Sequence, residues 1–136
     1  MEHERSKRAV LGSLDLSMQG HHEQALHLMD DVIAEAIREG EELWAFTLIR
    51  HAEILSTRAG QPHFSLLKHY YQRYLTYSPE NPRALYALAD VAMEEGEIEV
   101  AKQYARRCHQ SLLRTTDEVA KRDLFDLVLE RWPEPE

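Results

Sequence analysis

Apolar positions recur every three or four residues along most of the chain, the spacing of one helical face. Residues 4–18 carry Val10, Leu11, Leu14 and Met18 in this rhythm. Residues 22–38 continue it with Ala25, Met29, Val32 and Ala36, flanked by Leu26, Ile33 and Ile37. Residues 41–58 carry Trp44, Leu48, Ala52 and Leu55, and residues 62–77 carry Phe64, Leu67, Tyr71, Tyr74 and Leu75. Residues 82–95 place Leu85, Leu88, Ala89 and Ala92, and residues 98–114 place Ala101, Tyr104, Ala105, Cys108 and Leu112. A last stretch, about 116–131, holds Val119, Leu124, Leu127, Val128 and Leu129. No segment alternates as a half-buried strand does, and the stretches are rich in Leu, Ala, Met, Glu, Gln and Arg, all good helix formers. The pattern predicts an all-α chain of seven helices.

Punctuation between the stretches is sharp. Gly20, Gly60 and Gly96 break the chain, and Gly40 sits where a left-handed C-cap ends a helix. Pro62 is placed for a first helical turn, and Asn81 before Pro82 reads as an N-cap with proline at the first helical position. Thr115 with Glu118 reads as a capping box opening the last helix. Short connections make neighbours antiparallel. The helices fall into pairs, with pair-internal breaks at Gly20, Gly60 and Gly96, 40 and 36 residues apart. Such a period marks a helical solenoid. One pair cannot bury both its faces, so pairs stack and the last needs a cover. The final helix suits that role if Val119, Leu124, Leu127 and Val128 face inward. Phe125, Leu129 and Trp132 form a second apolar stripe, either part of a broad buried face or a homodimer contact.

The third pair, Asn81-Pro82-Arg83-Ala84-Leu85-Tyr86-Ala87-Leu88-Ala89-Asp90-Val91-Ala92 followed by Gly96, Ala101, Ala105 and Cys108, resembles the tetratricopeptide repeat. The first pair resembles it through Gly20-His21-His22-Glu23-Gln24-Ala25-Leu26, with Ala9, Gly12, Ser13 and Leu16 on the slots of its first helix. The second pair ends in Tyr70 to Pro82 as such repeats do, although Leu67 stands where the family has a small residue. The resemblance covers about residues 6–114 and implies a right-handed solenoid of three helix pairs, about 4–38, 41–77 and 82–114, with a capping helix at about 116–131, in one domain spanning 1–136.

Composition then narrows the function. The chain of 136 residues has 16 Lys and Arg against 24 Asp and Glu, a net charge of −8, which argues against nucleic-acid binding. No apolar run reaches membrane-spanning length. The charged stretch Met1 to Arg8 does not read as a secretion leader, and the single cysteine, Cys108, suits a reducing compartment, so a cytoplasmic protein is expected. The Pro133-Glu134-Pro135-Glu136 end reads as a tail leaving the domain. Eight histidines raise the question of a metal, but no two lie four apart on a helix, and they read as solvated surface groups. Cys108 beside His109 is no catalytic pair, because adjacent helical residues diverge by about 100°. Glu94, Glu95, Glu97 and Glu99 read as a solvated acidic turn. Lys102, Arg106, Arg107 and Arg114 form a basic patch, read as a stabilised helix end with an anion contact as the alternative. Neither an enzyme nor a cofactor is expected.

The resemblance implies that the first helix of each pair lines a concave face. The open positions there are Lys7, Val10, Leu14 and Met18, then Phe46, Ile49, Glu53 and Ser56 with Arg50 nearby, then Arg83, Tyr86, Asp90, Met93 and Glu94. The mixture suits a peptide or an amphipathic helix, with Phe46, Tyr86 and Met93 as anchors. The carboxylate clamp of one subfamily is largely missing, since its slots fall on Val10, Leu14, Arg50, Arg83 and Ala87. The expected function is an adaptor that binds a protein segment. The alternative is a small secretion-type chaperone holding an apolar client segment.

Overall fold

A computed structural model describes residues 3–60 and 63–133. Gln61 and Pro62 of the predicted break, and Glu134, Pro135 and Glu136 of the expected tail, lie outside the described residues. Seven helices run α1 Glu4–Met18, α2 His22–Arg38, α3 Glu42–Ala59, α4 His63–Tyr77, α5 Pro82–Glu94, α6 Ile98–Arg114 and α7 Glu118–Arg131. They differ from the predicted spans by at most two residues at an end. The described residues contain no strand. The chain forms two compact units, residues 1–70 and 71–136, with α4 carrying the boundary.

In the first unit α1, α2 and α3 pack on one another. The turn after α2 shows why the chain reverses so tightly. Gly40 sits at φ 72°, its N–H bonds Ile37 O at 3.1 Å, and the Glu41 N–H reaches back to Ala36 O at 3.1 Å. This pair of bonds is a Schellman turn, which satisfies the orphan carbonyls of the helix end and asks for glycine. Arg5 near the start of α1 bonds Glu35 near the end of α2 at 2.9 Å, so the two helices are antiparallel. They approach closely at Gly12, where an added Cβ would stand 3.2 Å from Leu28 Cδ2. The core is Ala25, Met29, Ile33 and Ile37 of α2 against Ala45, Leu48, Ala52 and Leu55 of α3.

The second unit repeats the plan with α5, α6 and α7. Asn81 caps α5 by accepting the Ala84 N–H at 3.0 Å, with Pro82 at the first position. The end of α6 is tied to the start of α5: the Cys108 thiol donates to Pro82 O at 3.3 Å, and Ser111 donates to Glu80 O. Leu85, Ala89, Ala105, Cys108 and Leu112 form a core that α7 completes with Ala120, Leu124, Val128 and Trp132.

Two expectations for α7 are corrected. Its N-cap is Asp117, whose Oδ1 accepts the N–H groups of Val119 and Ala120 at 3.1 Å each, while Thr115 only accepts the Asp117 N–H. Val119 and Leu127 face solvent rather than the core, since the inward row is Ala120, Leu124, Val128 and Trp132 at four-residue steps.

Candidate functional site

The first helix inverts the usual amphipathic arrangement. Its buried residues are Ser6, Ala9, Ser13 and Ser17, whereas Leu11 and Met18 are each 70% exposed and Leu14 stands at the edge of exposure. Leu14 and Met18, expected among the open positions of the first helix, face outward, and Ala9 and Ser13, on the repeat's slots, are buried. The inner serines explain how. Each has a small side chain, which lets helices approach, and each hydroxyl holds a ring on a neighbouring element. Trp44 Nε1–H donates to Ser6 Oγ at 2.8 Å, and Ser6 donates in turn to His3 O at 3.1 Å. His51 Nε2 lies 2.9 Å from Ser13 Oγ, and His22 Nδ1 lies 3.2 Å from Ser17 Oγ. Ser13 has one proton, and it points to Val10 O at 2.8 Å, so His51 is the donor to Ser13. Burial pulls the His51 pKa below its ordinary value, which keeps the ring neutral near pH 7.

Ser6 to Trp44 and Ser13 to His51 are both links across 38 residues. A constant offset means that α1 and α3 run parallel and in step, and between them they leave a groove of about 400 Å³. Val10 and Leu11 form one wall and Trp44, Thr47 and His51 the other, with Leu48 below and Lys7 at one end. Leu14 and Met18 carry the apolar row of α1 onward by one and two turns. His3 closes the other side of Trp44, its ring 4.6 Å away and its Nδ1 3.1 Å from Glu41.

Of the residues expected on this face, Val10, Leu14 and Lys7 lie on or beside the groove. On α3 the expected set is largely displaced. Ile49 and Ser56 have no exposed surface, so they belong to the interior. Phe46 and Glu53 are half-buried, and exposed Arg50 pairs with Glu53 at 3.5 Å. Trp44, Thr47 and His51, which do line the groove, fall outside the expected lining set. The missed signal is the recurrence of Ser6 and Ser13 seven residues apart, answered by Trp44 and His51 seven residues apart.

In the second unit, α7 occupies the corresponding side of α5. Arg83 reaches Asp123 at 3.4 Å, Tyr86 meets the Trp132 ring edge-on at 5.7 Å, and Asp90 pairs with Arg131. Met93 packs against the same core. The four α5 candidates thus all touch their own unit. So does the stripe proposed as a dimer contact: Trp132 is part of the core, Phe125 packs against it and faces His109 at 5.3 Å, and Leu129 is half-buried.

The other candidate chemistry is structural where it can be traced. His109 is buried and His51 half-buried, which corrects the reading of the histidines as uniformly solvated. Burial raises the Cys108 thiol to about 12, so it is not ionised near neutrality. No group of three or more His, Cys, Asp or Glu is poised to hold a metal ion among the described residues. Arg114 pairs with Glu80 at 2.8 Å, and Arg107 bonds Pro79 O at 3.4 Å and faces the Tyr104 ring. No helix among the described residues is long and apolar enough to cross a membrane. Compared with protein-family models, curated proteins and solved structures, the chain matches none.

Proposed function

We propose that this chain is a non-catalytic interaction module of tetratricopeptide-like helix pairs, and that the α1–α3 groove binds an apolar, helical segment of a partner protein. One observation carries the reading: α1 packs inward through serines and turns Leu11, Leu14 and Met18 outward beside a ring-walled groove. A helix stabilised only by its own unit places its leucines inside. Here they form a continuous row, the arrangement that receives the i, i+3/i+4, i+7 anchors of an amphipathic helix. The parallel, in-step course of α1 and α3 supports the repeat reading, because a stacked repeat sets equivalent helices side by side. A chaperone holding an apolar client segment would use the same row, and no separate observation favours it.

The test is an NMR titration of the ¹⁵N-labelled chain with a model amphipathic peptide bearing leucines at these spacings. Val10, Leu11, Thr47 and His51 amides are expected to shift together and saturably. A Leu11→Glu/Leu14→Glu variant is expected to keep its helical circular dichroism and to bind at least about tenfold more weakly, since each lost leucine contact is worth about 1.5–3 kcal/mol when fully buried. Shifts confined to other helices, or affinity unchanged in the variant, would remove this groove as the site.

A further inference from the structure

A second concavity of about 500 Å³ lies wholly within the second unit, between α6 and the end of α7. Its size falls in the range of small-ligand sites, about 300–1,000 Å³. Its charge runs against that of the molecule. In a chain of net charge −8, Lys102, Arg106 and Arg131 line it together, with Glu99 as the one acidic lining residue. Lys102 and Arg106 are one turn apart on α6, so both project toward the same place. Lys102 has only a loose pair with exposed Glu99 at 3.7 Å, and Arg106 has no ion pair or hydrogen bond among the described residues. Of the three cations only Arg106 has no partner among the described residues, and the like charges of Lys102 and Arg131 beside it favour an anion at the mouth of the cleft.

The opposite wall is flat, apolar and fixed. Trp132 and Pro133 supply it, with small Ala105 leaving depth beneath. The Trp132 ring is held edge-on by Tyr86 at 5.7 Å and covered on one side by the Arg131 guanidinium at 4.8 Å. Arg131 is itself anchored. Burial works against its charge, but the hydrogen bonds to Tyr86 and Asp90, and the Asp90 carboxylate, outweigh it and keep the guanidinium charged. The Trp132 indole N–H is buried and has no acceptor. An unsatisfied buried donor is uncommon in a folded chain and calls for a partner.

The geometry points to a binding site for a small organic anion, in which Arg106 and Lys102 take a carboxylate or phosphate head and the Trp132–Pro133 wall takes an attached apolar or aromatic body. This site is independent of the α1–α3 groove, and neither reading depends on the other.

The test follows the two indole N–H resonances of the intact chain, assigned by Trp44→Phe, during titration with phenyl phosphate, phenylacetate, inorganic phosphate and phenol. Saturable movement of the Trp132 resonance is expected with phenyl phosphate or phenylacetate, and whichever binds more tightly identifies the head group. Inorganic phosphate and phenol are expected to bind at least about tenfold more weakly, since each offers half of the recognised chemistry. Arg106→Gln and Lys102→Gln, both at exposed positions, are expected to weaken the better ligand by about tenfold each while the Trp44 resonance stays in place. Absence of saturation with both aryl anions overturns the site. So does binding that survives Arg106→Gln, or phenol binding as tightly as phenyl phosphate.

Discussion

Ser56 is fully buried in α3 and its hydroxyl has no hydrogen-bond partner. Leaving a hydroxyl in that state costs about 1–3 kcal/mol, and serine is also a weaker helix former than alanine. Ser56→Ala is therefore expected to raise stability by about 1 kcal/mol, read as a higher midpoint in chemical denaturation with an unchanged slope. A lower midpoint would mean that the hydroxyl is bonded after all. His51 presents the reverse case, a polar group that is satisfied and responds to pH. Its folded pKa lies below the unfolded value of about 6.5. Between those two values the unfolded chain binds more protons, so stability rises with pH. The contribution is complete above the unfolded pKa and is lost as pH falls through the folded one. Melting temperature is expected to decline on acidification below about pH 6.5, and His51→Gln, which keeps a donor for Ser13, is expected to decline less. Parallel curves for the two proteins would show that His51 titrates alike in both states.

At the scale of elements, the start of α7 separates two readings of one short sequence. Asp117 accepts two backbone N–H groups, whereas Thr115 sits outside the helix. Asp117→Ala should cost about 1 kcal/mol and Thr115→Val well under that, measured as denaturation midpoints. Equal losses would restore the Thr115–Glu118 box. The helices themselves were legible because Gly20, Gly40, Gly96 and the Asn81-Pro82 step punctuate strongly periodic stretches. The facing of α1 was legible only through the repeat slots, which put Ala9 and Ser13 inside and left Leu14 and Met18 open. Its seating on α3 was not, because that closeness is decided by serine size and by hydroxyls that hold rings 38 residues away. The α3 face failed for a related reason. Its buried row of Ala45, Leu48, Ile49, Ala52, Leu55 and Ser56 is broad, and only packing decides which flanking residues, Trp44 and His51 or Phe46 and Glu53, border the groove. Cys108 was legible as a core residue because its slot lies in an unbroken apolar row of α6.

Across the whole molecule, one three-helix plan occurs in each unit: an antiparallel pair, then a third helix that touches both its members. The outcome differs between the two. In the first unit the α1–α3 seam stays partly open, and in the second Arg83–Asp123, Asp90–Arg131 and Tyr86–Trp132 join α5 to α7. The large residues of α7 are thereby used within the chain. The large apolar residues that α7 exposes are Val119 and Leu127, eight residues apart. Two isolated side chains fall far short of the roughly 800 Å² per partner that a stable interface buries. Removing the inward anchor should therefore act on folding rather than on assembly. Trp132→Ala is expected to cost about 3–5 kcal/mol, the usual loss for a large core aromatic. Val119→Glu/Leu127→Glu is expected to stay within about 0.5 kcal/mol of the parent, as exposed substitutions do. Light scattering coupled to size exclusion should give that double variant the parental mass. A halved mass with the fold intact would instead place a self-association surface on α7, made of the residues that face away from its core.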